Sequence, residues 1–136
     1  MKIYRSIALN ENETINTDNL GCSWSLSDVY PHDHAEKNII PARGLDGYII
    51  IEADVNLNDI DIDNTLFALE NREDEAEVVI NSIDLKAEVV YSDLESIKEG
   101  TIIEGLTGCN EFEDYTNEYD GDLTVEDFID FVNEVQ

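Results

Sequence analysis

Alternation of apolar and polar positions predicts a series of short strands along most of the chain. The segments concerned are 2–9, 21–27, 47–55, 76–81, 83–91 and 101–106. The third of them, GYIIIEADV, is the most continuously apolar. A strand of this composition is typical of the centre of a sheet that is covered on both faces. The last one is expected at a sheet edge.

Helical periodicity is clear near the C-terminal end. The apolar residues at helical spacing there are Val125, Phe128, Ile129, Val132 and Val135. Thr124 precedes them as a helix cap, with Asp127 three residues later. Shorter helices are predicted over 28–37, capped by Ser27 or Asp28, and over 92–98, and a helical turn is predicted over 65–71. Many short strands with few helices predict an α+β domain built on antiparallel pairing.

The length of 136 residues is that of a single domain. Its apolar fraction of 42% lies in the globular range. We expect a core sheet over 1–106, an acidic loop over 107–122 and a C-terminal amphipathic helix over 123–135.

The charge balance is strongly acidic, with 33 Asp and Glu against 7 Lys and Arg and a net charge of −26. Such a charge repels phosphate backbones and anionic lipids, so direct binding to nucleic acid or to membranes is disfavoured. A basic partner protein, cations, and mimicry of a nucleic acid's charge remain open. So does a simple contribution to solubility.

Cys22 and Cys109 are too few for a disulfide framework and lack metal-ligand spacing. We expect both to be reduced in a cytoplasmic protein. The N-terminal residues MKIYRSIALNENE do not have the pattern of a signal peptide, and no apolar run approaches membrane-spanning length.

Three motifs stand in order along the chain: Tyr4-Arg5-Ser6 in the first strand, Gly21-Cys-Ser-Trp-Ser-Leu-Ser27 in the second, and Glu75-Ala-Glu77-Val-Val-Ile80 leading into a later one. In order and rough spacing, over residues 1 to 91, the chain resembles the ADP-ribosyltransferase family, in the branch whose site is written Arg, Ser, Glu. It departs from that pattern in having Ser-Trp-Ser where Ser-Thr-Ser is usual.

The resemblance implies an ADP-ribosyltransferase-like split antiparallel sheet and the transfer of ADP-ribose from NAD to a protein side chain. It implies Glu77 as the main catalytic residue and Glu75 as the residue that orients or deprotonates the acceptor. The residues that it implies for binding NAD are Arg5, Ser23, Trp24 and Ser25.

Elementary chemistry agrees with these residue types. Breaking the bond between nicotinamide and ribose develops positive charge on the sugar, which a carboxylate such as that of Glu77 stabilises. The guanidinium of Arg5 offers a planar set of donors to a ribose or phosphate, and Arg72 can add positive charge. Ser25 is expected to support Glu77 or the ribose by hydrogen bonding. Strand alternation predicts that Glu75 and Glu77 face the same side.

Each of these residues also fits an ordinary structural role. Taken alone, Glu75 and Glu77 suit a solvated strand edge in so acidic a chain. Arg5 suits a structural ion pair, and the serines suit an outward strand face.

A binding function is the alternative. Small, very acidic proteins of phages and mobile elements often inhibit by occupying a basic, nucleic-acid-binding surface of another protein, including defence nucleases of the CRISPR type. The chain is similar to them in size and charge, so a non-enzymatic inhibitor that acts as a DNA mimic stays open.

The segment Asp120-Gly-Asp-Leu-Thr-Val-Glu-Asp-Phe128 is similar to the second half of a calcium-binding EF-hand loop. The ligands would be Glu118, Asp120, Asp122 and Asp127. Thr116 falls at the first ligand position, and Asp127 falls where a glutamate is usual. A capped helix after an Asp-Gly turn is the simpler interpretation, and we predict no metal.

Overall fold

The structure, a computed structural model, describes residues 1–109 and 118–136. Within them, six strands form one sheet. The strands are β1 (Lys2–Leu9), β2 (Ser23–Ser25), β3 (Gly47–Asp54), β4 (Glu77–Val79), β5 (Asp84–Ser92) and β6 (Ile102–Leu106). Part of the predicted acidic loop, residues 110–117, lies outside the described residues.

The strand order is β4-β2-β1-β3-β5-β6, and all neighbouring strands are antiparallel. The central strand β1 pairs with β3 along its whole length, from Lys2 opposite Asp54 to Leu9 opposite Gly47. Its register with β2 is confined to Tyr4 opposite Ser25. The sheet is therefore continuous on one side of β1 and weakly joined on the other.

Within the described residues, four α-helices accompany the sheet: α1 (Tyr30–His34), α2 (Ile40–Arg43), α3 (Ile62–Asn71) and α4 (Val125–Val135). A π-helical turn, Ala35–Ile39, joins α1 to α2, so residues 30–43 form one helical run, called the helical cover below. Two 3-10 turns, Leu57–Asp59 and Glu73–Glu75, precede α3 and β4.

The main hydrophobic core lies between one face of the sheet and helices α3 and α4. Ile3, Trp24 and Ile51 of the sheet are buried there with Leu66 of α3 and Phe128 of α4. The opposite face is covered in part by the helical cover.

Ala35 of the helical cover packs on Tyr48 and Ile50 of β3. The strand β3 is thus covered on both faces, as its continuous apolar sequence predicts.

The predicted α+β class, the antiparallel sheet and the C-terminal amphipathic helix are confirmed. The side chain of Thr124 accepts from the Asp127 N–H, and Asp127 accepts from the Thr124 N–H at 2.8 Å. This capping box satisfies backbone donors where α4 begins.

The predicted helix over 92–98 is wrong. Glu11 captures its backbone donors, because the Glu11 carboxylate accepts from the N–H groups of Glu95 and Ser96. The hydroxyl of Ser92 also binds the backbone of Leu94 in both directions. These local partners satisfy the segment without a helix.

The helix caps also differ in two places. The first helix begins after Val29 without a side-chain cap, although the Ser27 hydroxyl accepts from the N–H groups of Val29 and Tyr30. Helix α3 begins earlier than predicted, because Asp61 accepts from the Asn64 N–H as its cap.

The expectation of two reduced cysteines is wrong, since Cys22 and Cys109 form a disulfide. Thr107 accounts for their approach: its hydroxyl accepts from the Ile83 N–H and donates to the Asn81 carbonyl. The end of β6 is thereby fixed beside the connection from β4 to β5, next to β2. A pair separated by 87 positions gave no spacing signal in the sequence.

In the described part of the chain, no helix is long and apolar enough to cross a membrane.

Candidate functional site

A cleft of about 420 Å³ opens beside β2 and β4, under the start of the helical cover. The residues that the sequence indicated for a site all line it: Arg5, Ser23, Trp24, Ser25, Glu75 and Glu77. They come together because the sheet order places β4, β2 and β1 side by side. Their positions within the cleft differ from several of the sequence expectations.

Glu77 is the first residue of β4 and lies opposite Ser25 of β2. Its side chain is only 5% exposed. One carboxylate oxygen accepts from Arg72, at 3.1 Å from Nε and 2.9 Å from Nη2. The other accepts from the Ser23 hydroxyl at 2.9 Å. Charged and neutral donors therefore compensate the burial of this carboxylate and fix its orientation.

Glu75 reaches the same cleft, but strand alternation is not the reason. It ends the 3-10 turn Glu73–Glu75, and Ala76 then adopts a left-handed conformation with φ 49° before β4 begins. Its carboxylate lies 3.5 Å from Nε of Arg72. Arg72 thus bridges the two glutamates.

Tyr30 brings a phenol to the same carboxylates. Burial in the cleft and a hydrogen bond to Glu75 raise the pKa of Tyr30 to about 12. The phenol is therefore a neutral donor at physiological pH.

The sequence suggested that Arg72 adds positive charge for a phosphate. In the structure its charge is instead paired with two carboxylates. Its guanidinium is engaged by Glu75 and Glu77 and lies 5.8 Å from the centre of the Phe67 ring. About a third of its side chain is exposed (36%).

The serine that contacts the buried glutamate is Ser23. The Ser25 hydroxyl donates to the Glu75 carbonyl at 2.8 Å and accepts from the Ser27 N–H at 3.0 Å. Ser25 is 3% exposed and holds the turn that carries Glu75. Both serines face the same side of β2, so the sequence alone did not separate their roles.

Arg5 binds the backbone of β2 where the pairing of β1 and β2 ends. Its Nη1 donates to the Ser23 carbonyl, and its guanidinium packs against Gly21. Trp24 is 2% exposed and donates through its indole N–H to the Gly21 carbonyl at 3.0 Å. Both residues position β2, and hence Ser23, from below the cleft.

The helical cover is fixed to the sheet by a polar and aromatic cluster. The Tyr48 hydroxyl donates to Glu36 at 2.7 Å and lies 2.9 Å from Nδ1 of His32. His32 also packs edge-on against Tyr91, with ring centres 4.6 Å apart. Because the phenol has one proton, His32 is the donor in its contact with Tyr48.

The sequence did not indicate Tyr30, His34 and Phe67, which also line the cleft. The rings of Tyr30 and His34 stack with centres 5.8 Å apart. Phe67, on α3, is 41% exposed. A large apolar residue that its helix does not bury is the signal that could have indicated a binding surface there.

The acidic tail does not assemble a metal site in the part of the chain that the structure describes. No group of three or more His, Cys, Asp or Glu residues is placed there to hold an ion. Asp127 is engaged with Thr124 as a cap, and Glu118, Asp120 and Asp122 are exposed. Thr116, the first position of the EF-hand pattern, lies outside the described residues.

Searches against protein-family models, curated proteins and solved structures found no match. Functional inference for this chain therefore depends on the chemistry of the cleft.

Proposed function

We propose that the chain is a mono-ADP-ribosyltransferase-like protein that binds NAD in the cleft and transfers ADP-ribose to a protein side chain. The observation that supports it is convergence: Arg5, Ser23 and Glu77 lie on three strands and meet at one cleft. These residues belong to the Arg, Ser and Glu motifs that resemble the family. The weak junction of β1 and β2 also suits a split sheet.

The reaction needs a carboxylate beside the sugar. The bond between C1′ of the ribose and the nicotinamide nitrogen breaks, and nicotinamide leaves with the bonding electrons as a neutral molecule. Glu77 stabilises the positive charge that develops on the ribose. The acceptor nucleophile then bonds to C1′ and gives its proton to Glu75.

The cleft is of the right size and character for the nicotinamide half of NAD. Small-molecule sites usually occupy about 300–1,000 Å³ with apolar walls and a few convergent polar groups. Here Tyr30 and Phe67 supply ring surface, and Ser23 and Glu77 supply the polar groups.

A ribose hydroxyl that binds Glu77 has to join or replace a donor already there. Ser23 is held in β2, whereas Arg72 follows the last residue of α3 and is one-third exposed. Arg72 is therefore the donor expected to move when NAD binds.

The test is incubation of the protein with labelled NAD and a cell lysate. Glu77→Gln keeps the size of the side chain and removes its charge, so we expect transfer of label to fall by at least about 100-fold, as for the loss of other transition-state stabilising groups. Glu99→Gln is the matched control, because Glu99 is exposed in a turn and does not line the cleft. Equal labelling by wild type and Glu77→Gln would overturn the catalytic proposal.

A second candidate function is non-enzymatic binding of a basic, nucleic-acid-binding surface of another protein. The pairing of two basic residues with carboxylates supports it. Lys2 is paired with Glu52 at 3.1 Å and with Asp54 at 3.0 Å, and Arg72 is paired within the cleft. These ion pairs neutralise basic side chains in a chain of net charge −26, so negative charge dominates its surface.

A further inference from the structure

In the part of the chain that the structure describes, the helical cover lies over the middle of one sheet face. Tyr48 and Ile50 of β3 are buried beneath the cover, whereas the outward residues of β5 and β6 are exposed. These exposed residues are Asp84, Lys86, Glu88, Ile102, Glu104 and Leu106, which together are called the β5–β6 face below.

Two large apolar side chains project from the β5–β6 face. Ile102 is 49% exposed and Leu106 is 43% exposed, on either side of Glu104. In the register of β5 and β6, Ile102 lies opposite Glu88 and Leu106 lies opposite Asp84. Each apolar side chain is therefore paired with a carboxylate instead of another apolar residue.

Like charges lie side by side where this face meets β3. Glu52 of β3 lies opposite Glu88 of β5, an arrangement that destabilises a sheet. Lys2 compensates Glu52 and Asp54, and Lys86 lies opposite Glu104. The face and its neighbours on β3 and β1 thus hold five carboxylates against two lysines, so their electrostatic complement is a cation.

Among the described residues, none is placed as a backbone partner beyond β6 at Ile102 and Glu104. The Leu106 N–H donates to the Thr17 carbonyl, and its carbonyl accepts from the Leu20 N–H, so Leu106 directs its backbone groups away from β5. By the alternation of an antiparallel ladder, Glu104 and Ile102 direct theirs to the same side. No described strand lies beyond β6 there.

The geometry points to a docking surface at which a basic, extended segment of another protein adds as a strand beside β6. A lysine or arginine of that segment would lie next to Glu104, and an apolar residue would lie next to Ile102. A second copy of this chain suits the edge poorly, because two chains of net charge −26 would bring their acidic faces together. The inference is independent of the transfer reaction.

The probe is a synthetic peptide of about ten residues, the length of a long strand, in which every second residue is threonine and the residues between them are valine and lysine in turn, so that valine and lysine share one face. It is titrated into the full chain, labelled with ¹⁵N, and followed by NMR. A peptide of the same composition with its lysines and valines in separate blocks keeps the charge and removes the alternation.

We expect saturable binding with shifts at 102–106, and weaker binding of the block peptide. Glu104→Lys should lower the affinity by at least about tenfold, whereas Glu99→Lys, with the same charge change outside the face, should change it less than about twofold. If Glu104→Lys lowers the melting temperature, Ile102→Ser takes its place, and its loss of peptide affinity is compared with that of Glu99→Lys.

Four results would overturn the proposal. Equal loss of affinity in the Glu104→Lys and Glu99→Lys variants, or equal binding of both peptides, would indicate general charge attraction. Shifts away from β6 would place the peptide elsewhere. Concentration-dependent self-association that involves β6 would identify a second copy as its occupant.

Discussion

At the scale of single residues, the contact between Arg5 and Gly21 positions Ser23. Gly21 has a φ of 89°, a conformation that side chains disfavour, and a Cβ at this position would overlap the Arg5 guanidinium. The glycine therefore lets Arg5 reach the Ser23 carbonyl. Through that contact, β2 presents the Ser23 hydroxyl to Glu77.

Gly21→Ala is expected to displace Arg5 and to strain the backbone. Gly100→Ala is a matched control, since Gly100 has a φ of 90° but no atom near its potential Cβ. Urea unfolding should show that both substitutions cost about 1–3 kcal/mol of backbone strain, with a further loss in Gly21→Ala. Equal destabilisation by the two substitutions would show that the contact with Arg5 has little effect.

The residue types of the candidate site were predictable from the sequence, but their contacts were not. Alternation placed Ser23 and Ser25 on the same face, which is observed. The sequence did not reveal that Ala76 adopts a left-handed conformation. Glu75 therefore lies in the turn before β4, and the Glu75 carbonyl accepts a hydrogen bond from the Ser25 hydroxyl.

At the scale of elements, the three-residue strand β2 is held from several sides. Its residues pair with Glu77–Val79 of β4, and the Cys22 carbonyl accepts from the Ile80 N–H at 2.8 Å. The disulfide to Cys109 then ties its start to the end of β6. The strand that carries Ser23 thus depends on a covalent bond outside the sheet.

Removing this disulfide should lower stability. A cross-link that closes a loop of 87 residues is expected to contribute about 4–5 kcal/mol through its restriction of the unfolded chain. Urea unfolding of Cys109→Ser should match that of wild type in reducing agent, and the variant itself should not respond to the reducing agent. A wild-type protein whose unfolding is insensitive to reduction would contradict the pairing.

The strands were predictable because burial on one face imposes a period of two on the sequence. The conformation of 92–98 was not, because a distant residue, Glu11, decides it. The disulfide was hidden for the same reason, since the sheet brings together two residues that the sequence separates. Local patterns report local structure, and these features depend on tertiary contacts. A cytoplasmic location stays a prediction.

At the scale of the whole molecule, the net charge of −26 separates the two candidate functions. It repels the phosphates of NAD, so added salt should strengthen NAD binding by screening that repulsion. It attracts a basic protein segment, so added salt should weaken that binding. The two ligands are expected to show opposite dependences on ionic strength.

The most direct test of the central claim is NMR titration of NAD into the ¹⁵N-labelled protein at about 10 mM and about 150 mM salt. We predict saturable shifts for Ser23, Glu77 and the Arg72 side chain, below about 1 mM NAD, with tighter binding at the higher salt. Shifts confined to residues outside the cleft, or no saturable shift at either salt, would contradict the account.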